Sequence, residues 1–210
     1  MMKYDAIIVA SGKGDRAGLG YNKVFYRMKD GMTVLDHSLV LFIKDEDCQK
    51  IIVVTNDGDK DGLLSHEKVV VVKGGERRQD SVRNGLDAAE SPYVFVHDGA
   101  RPFLQEDNIE ALKEKLQECD AAVLGHVAVN TIKILEGERI VRTVDRNTIF
   151  IAETPQAFRT DLLKDCYRRC EDVLFTDDSS LVESLGFEVR AVFNTHDNRK
   201  LTVVDDFKDL

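Results

Sequence analysis

Arg16 and Lys23 stand on one loop, Ala10-Ser11-Gly12-Lys13-Gly14-Asp15-Arg16-Ala17-Gly18-Leu19-Gly20-Tyr21-Asn22-Lys23, directly after the first apolar run of the chain. Glycines that follow a strand let backbone N–H groups approach phosphate oxygens closely, so Gly12 and Gly14 mark a candidate phosphate cradle. Residues 12–17 match the dinucleotide pattern G-x-G-x-x-A, which makes a nicotinamide dehydrogenase one reading. In that pattern the helix begins inside the motif. Here glycines continue at Gly18 and Gly20 and lengthen the loop. No Gly-Lys-Ser/Thr follows, so the segment is not a Walker loop. Arg16 and Lys23 among four glycines suit the grip of a triphosphate; the bland alternative is a surface loop with solvated charges.

Three further segments could carry chemistry. Lys73-Gly74-Gly75-Glu76-Arg77-Arg78-Gln79-Asp80-Ser81 pairs glycines, which allow close backbone approach, with the small hydroxyl of Ser81, able to read a base edge. A structural turn that caps a helix is the competing reading. His97-Asp98-Gly99-Ala100-Arg101-Pro102 sets an acid and a base at the end of an apolar run, where open α/β sheets bind ligands. Asp197-Asn198-Arg199-Lys200-Leu201-Thr202 adds another cation, Lys200, which alone would read as solvated.

The elements that must position these residues alternate. Apolar runs at 5–10, 51–55, 69–72, 93–97 and 121–127 are separated by helical patterns at 33–43, 79–89 and 107–118. Runs buried on both faces and separated by helices predict a mostly parallel sheet covered on each side, a three-layer α/β fold. Segments 129–135 and 139–144 flank Glu136-Gly137-Glu138 and predict a β-hairpin. Its strands carry Asn130, Lys133, Arg139 and Arg142, too polar for a core element, so an arm over about 129–150 is expected to project from a single domain spanning 1–210. A helix at 160–170, another at 177–185 capped by Thr176 or Asp177 and closed by Gly186, and a strand at 188–193 complete the reading.

With 210 residues, 43% hydrophobic and 32% charged, the chain suits one globular domain. The net charge of −9 argues against nucleic acid as a partner, because duplex binding neutralises phosphates with Lys and Arg. No apolar run approaches the ~20 residues a membrane span requires, and the N-terminus shows no signal-peptide pattern; a cytoplasmic enzyme is expected. Cys48, Cys119, Cys166 and Cys170 lack metal-ligand spacing and are expected to be reduced and structural.

Read together, the glycine-rich loop with Arg16 and Lys23, Gly74-Gly75 through Arg78 to Ser81-Val82, the 97–102 segment, Thr131-Ile132-Lys133, Asp145-Arg146-Asn147, Thr154-Pro155-Gln156, Thr176-Asp177-Asp178 and the 197–202 segment resemble the 2-C-methyl-D-erythritol 4-phosphate cytidylyltransferases, from about residue 4 to the C-terminus. The resemblance implies a Rossmann-like nucleotidyltransferase fold in which the hairpin is an interlocking arm of a homodimer. It implies that Arg16, Lys23 and Lys200 hold the triphosphate and stabilise the reacting centre. Backbone at Ala10, Ser11 and Gly75, with the Ser81 side chain, would recognise cytosine. Asp98 and Arg101 would sit beside the acceptor, while Thr131 and Arg146 would hold its phosphate-bearing end from the neighbouring subunit. The chain departs from the family pattern at Asn22-Lys23-Val24, where Pro-Lys-Gln is usual, at Ser11, where alanine is common, and at Asn130, where aspartate is usual.

The implied reaction joins CTP to a small polyol phosphate. An acceptor phosphate with a second pKa of about 6 is already ionised near neutral pH, so no general base is required. His97 is then expected to be a structural partner. Mg²⁺ is expected on the triphosphate oxygens and water, with no protein cage. A ribitol 5-phosphate cytidylyltransferase is the nearest alternative; Ala100 and the run 79–86 favour the methylerythritol acceptor. A non-catalytic nucleotide sensor on the same scaffold is the alternative of another class.

Overall fold

The first strand, β1 (Tyr4–Val9), puts Tyr4, Ala6 and Ile8 on one face and Ile7 and Val9 on the other. This is the period-2 alternation of a pleated strand. Both faces are covered, which requires helices on each side. The computed structural model describes residues 2–12, 18–56, 62–170, 173–208 and 210. Arg16 and Gly14 therefore lie outside the described residues.

In chain order the elements are β1, α1 (Val34–Lys44), β2 (Cys48–Thr55), β3 (Val69–Lys73), α2 (Arg78–Ala88), β4 (Tyr93–Asp98), α3 (Glu106–Lys115), β5 (Ala121–Val127), β6 (Ile132–Glu136), β7 (Arg139–Val144), β8 (Phe150–Arg159), α4 (Thr160–Arg169), α5 (Asp178–Ser184) and β9 (Arg190–Phe193). Seven strands form one sheet in the order β3-β2-β1-β4-β8-β5-β9. All neighbours are parallel except β8, which runs antiparallel to β4 and β5. One face packs Leu35, Leu39 and Phe42 of α1 and Ile109 and Leu112 of α3. The opposite face packs Val82 and Leu86 of α2, Leu163 and Cys166 of α4, and Leu181 and Val182 of α5. The expected three-layer arrangement is present.

Local chemistry sets the helix ends. Thr33 and Asp36 form a reciprocal capping box at α1, and Asp177 accepts from the Ser180 N–H at the start of α5. Each satisfies amides that the first turn leaves without helical partners. Gly186 closes the α5 region at φ +83, a backbone conformation open to glycine.

Two features differ from the sequence expectation. β3 is an edge strand with Val70 and Val71 exposed, not a run buried on both faces. β8 occupies the middle of the sheet, although residues 150–159 show no apolar run. Glu153, Thr154 and Gln156 are polar yet buried, and the β5–β8 register shifts between Val123 and Gly125, opposite this stretch. Pro155 has no N–H to give a ladder, so the irregularity falls where its cost is smallest. The hairpin β6–β7 forms its own two-stranded sheet, with Gly137 at φ +59 in the turn.

Candidate active site

Strand order reverses between β1 and β4, the pair from which the sheet winds outward in both directions. Open α/β sheets bind ligands at the carboxyl ends of such strands. A cleft of about 840 Å³ lies there, lined by Ala10, Ser11, Gly12, Asn22 and Lys23 from the first loop, Asn56, Gly75 to Arg78, Asp98 and Lys200. A second cleft of about 640 Å³ lies at the opposite end of the sheet, around Ser91, Tyr93, Arg159 and Lys164. It contains none of the residues singled out from the sequence.

One wall of the main cleft is backbone. The Ala10 N–H donates to Val54 O at 2.8 Å, and Ala10 O accepts from Asn22 Nδ2 at 2.7 Å. Ser11 O accepts from Asn56 Nδ2 at 3.0 Å. The second loop comes very close: a Cβ on Gly74 would stand 2.4 Å from Ser11 Cβ, and one on Gly75 would stand 2.4 Å from Asp80 Cβ. Only glycines fit there. Ser81 lies beneath this junction. It is fully buried, its Oγ accepts from the Gly75 N–H at 3.0 Å and lies 2.8 Å from Ser11 Oγ, and its hydroxyl faces Arg77 O at 3.2 Å. Ser81 thus holds the two loops together from below, while Ser11 reaches the cleft surface.

The other wall is charged. Asp98, at the end of β4, meets Lys200 Nζ at 2.8 Å, Arg78 Nε at 3.3 Å and Arg101 Nε at 3.8 Å. Burial alone would push its carboxyl pKa up, but the charges of Arg78 and Lys200 and the Lys200 hydrogen bond hold it well below the usual carboxylate range. Asp98 is therefore an anion at neutral pH and a poor proton acceptor. Arg78 continues to the buried Asp178 at 2.9 Å, which also accepts from Tyr167 Oη at 2.6 Å. Arg101 donates to Asn198 O at 2.7 Å. It stands behind Asp98, outside the cleft lining.

His97 explains how this wall keeps its shape. Its Nε2 lies 3.2 Å from Arg101 O and its Nδ1 lies 3.1 Å from Thr154 Oγ1. A carbonyl only accepts, so Nε2 carries the proton and Nδ1 accepts from Thr154, whose oxygen in turn accepts from the Asp98 N–H at 3.0 Å. The ring is fully buried, and burial pushes its pKa down to about 4. A neutral, saturated imidazole is a brace, as the sequence suggested.

The structure gathers Lys23, Lys200, Ala10, Ser11, Gly12, Gly75 and Asp98 around one cleft. It sets Ser81 and Arg101 one layer behind. Thr131 and Arg146 lie exposed by the hairpin, away from the cleft lining of their own chain; Arg146 Nη1 donates to Val129 O at 2.7 Å. Sequence reasoning gave no role to Asn22, Asn56, Thr154, Asp178 or Asn198. Asn22, Thr154, Asp178 and Asn198 fall in segments whose motifs stood out, the one available signal. Among the described residues no three His, Cys, Asp or Glu side chains converge as metal ligands, and no helix is long and apolar enough to cross a membrane.

Comparison with known proteins places this geometry. The family model for IspD, 2-C-methyl-D-erythritol 4-phosphate cytidylyltransferase, matches residues 4–209. The enzyme of that name from Bacillus velezensis is 41% identical over 216 residues, covering 98% of this chain and 93% of the relative. That from Bacillus licheniformis is 40% identical, with 98% and 93% covered. The crystal structure of the Francisella tularensis enzyme superposes with a TM-score of 0.85 at 33% identity, covering 98% of this chain and 97% of that one. The chain belongs to the 2-C-methyl-D-erythritol 4-phosphate cytidylyltransferase family.

Proposed function

We propose that this chain transfers CMP from CTP to 2-C-methyl-D-erythritol 4-phosphate, releasing pyrophosphate, and that Lys23 and Lys200, with Arg16, supply the positive charge the reaction needs. The observation that supports this most directly is the cleft itself. At the switch point of the sheet, Lys23 and Lys200 border the same space as the Ser11–Gly12 and Gly75 backbone. Among the described residues its one buried carboxylate, Asp98, is locked to cations. Such a site is built to hold anions.

An acceptor phosphate oxygen would attack the α-phosphorus in line while pyrophosphate departs. The acceptor is already ionised near neutral pH, and Asp98 and His97 are both unfit as bases, so catalysis rests on positioning and on charge aimed at the developing anion. Lys200 would move from Asp98 toward the triphosphate, leaving Arg78 and Arg101 to keep Asp98 compensated. Backbone at Ser11, Gly12 and Gly75 would frame the base, with Ala10 and Ser81 fixing that backbone. Both Asp98 oxygens face cations, so Mg²⁺ would ride on triphosphate oxygens and water, where it would offset their charge.

Thr131 and Arg146 would reach the acceptor's phosphate end in a second copy of the chain. Exposed apolar residues support a homodimer through the arm: Leu135 is 58% exposed and Ile140 59%, and Phe193, on the edge strand β9, is 64% exposed. Pyrophosphate release from CTP with 2-C-methyl-D-erythritol 4-phosphate tests the reading. Faster turnover with ribitol 5-phosphate would overturn the acceptor, and no turnover with either would overturn the activity.

A further inference from the structure

We infer that Asn22 is a positioning residue for Lys23, its side-chain amide tying the lysine's turn to the end of β1. The inference rests on the reading that Lys23 meets the triphosphate.

Asn22 is only 8% exposed, although the adjacent Tyr21 is 48% exposed. Burying an amide is unfavourable unless its groups are hydrogen-bonded. Asn22 uses both ends. Its Nδ2 donates to Ala10 O at 2.7 Å in a buried bond. Its Oδ1 accepts from the Val24 N–H at 3.4 Å, capping the 3-10 turn Lys23–Phe25. Its own carbonyl accepts from the Phe25 N–H at 3.0 Å, closing that turn. Lys23 is the turn's first residue, so its backbone is gripped on both sides by groups that belong to Asn22.

The other end of the tether is equally firm. Ala10 is pinned to the sheet through its N–H and Val54 O, and the next carbonyl, Ser11 O, is taken by Asn56. A continuous path runs from β2 through Ala10 and Asn22 to Lys23. It fixes the distance between the backbone wall that frames the base and the cation that faces the phosphates. A short side chain with one donor end and one acceptor end is needed for this. Serine keeps an oxygen for the cap but is too short to make the Ala10 bond.

The test is steady-state kinetics of Asn22→Ser and Asn22→Ala with CTP and acceptor, beside thermal melting. Both variants should lose about tenfold in kcat, with KM for CTP within about twofold of wild type. Misplacing a reacting group by a fraction of an ångström has effects of this order. In a Lys23→Ala background, adding Asn22→Ser should change kcat less than about twofold, because residues that act through one another are non-additive. A purely structural asparagine would lower the melting temperature and multiply with Lys23→Ala, and that outcome overturns the inference. So does wild-type kcat in Asn22→Ser, which carries the test if Asn22→Ala proves unstable. Should Lys23→Ala be impaired while Asn22→Ser is not, the inference alone falls. Should Lys23→Ala turn over normally, the phosphate reading of Lys23 falls and takes the inference with it.

Discussion

On the charged wall of the cleft, Asp98, Arg78, Asp178, Tyr167, His97 and Thr154 find their partners within one chain and with little exposure. On the hairpin arm, Leu135, Ile140 and Val141 face outward beside Lys133 and Arg142, and the side-chain bonds there are short-range, such as Lys133 to Thr143 and Arg139 to Glu136. The first region is finished by folding. The second leaves apolar surface uncovered, which in a soluble oligomer is where another copy packs. Substitutions in the two regions should therefore fail differently: through stability and charge in the cleft, through assembly and shared sites on the arm.

The sharpest break is Asp98→Asn. Removing one member of a buried charge cluster strands the others, which typically costs about 3–5 kcal/mol. Urea unfolding should show that loss, whereas Arg139→Ala at the hairpin tip should leave the midpoint almost unmoved. Equal effects would erase the distinction between the regions.

Lys23→Ala probes charge without packing. Turnover should fall on the order of 10²–10³-fold, as loss of one preorganised donor does, with the melting temperature nearly unchanged. A variant with near-normal kcat would show that Lys23 is merely solvated.

The wall should also reveal itself in acid. His97 is held neutral, with its pKa lowered to about 4 from 6.5. Between these values the unfolded chain binds the proton and the folded one does not, so stability is fully present above about 6.5 and is lost as pH falls toward 4. The shift corresponds to about 3 kcal/mol. Asp98, whose pKa is depressed, adds its own loss only below the ordinary carboxylate range near 4. Unfolding free energies measured from pH 7 to 4 should decline in wild type and flatten in His97→Gln; parallel slopes would remove His97 from the account.

How much of this was legible in the sequence follows from the range of each interaction. Alternating apolar runs and helical periods exposed β1, β2, β4 and β5 and the helices between them, because burial leaves a period. β8 left none, since Glu153, Thr154 and Gln156 are buried for their hydrogen bonds rather than their hydrophobicity. The glycine loops were visible as composition. That Ser81 would lie under the Ser11–Gly75 junction was not, because Ser11 and Ser81 meet across 70 positions. Arg78 and Asp178, 100 positions apart, likewise carry no local signal of their pairing.

The arm offers the last and smallest readout, and it separates a shared site from a self-contained one. Thr131 and Arg146 lie off the cleft lining of their own chain, so a role for Arg146 in turnover points to a neighbour's cleft. Homodimers of Lys23→Ala and of Arg146→Ala should each be nearly inactive. When the two are mixed and allowed to exchange subunits, random pairing makes half the dimers mixed. By two-fold symmetry, each mixed dimer then holds one cleft lacking both residues and one with both intact. About a quarter of wild-type activity should return, a fourfold deficit instead of the near-complete loss in either parent. Differential tagging can confirm that exchange occurred. If exchange is complete and activity stays at the level of the parents, Arg146 acts on the cleft of its own chain, and the arm's exposed apolar residues do not mark a shared active site.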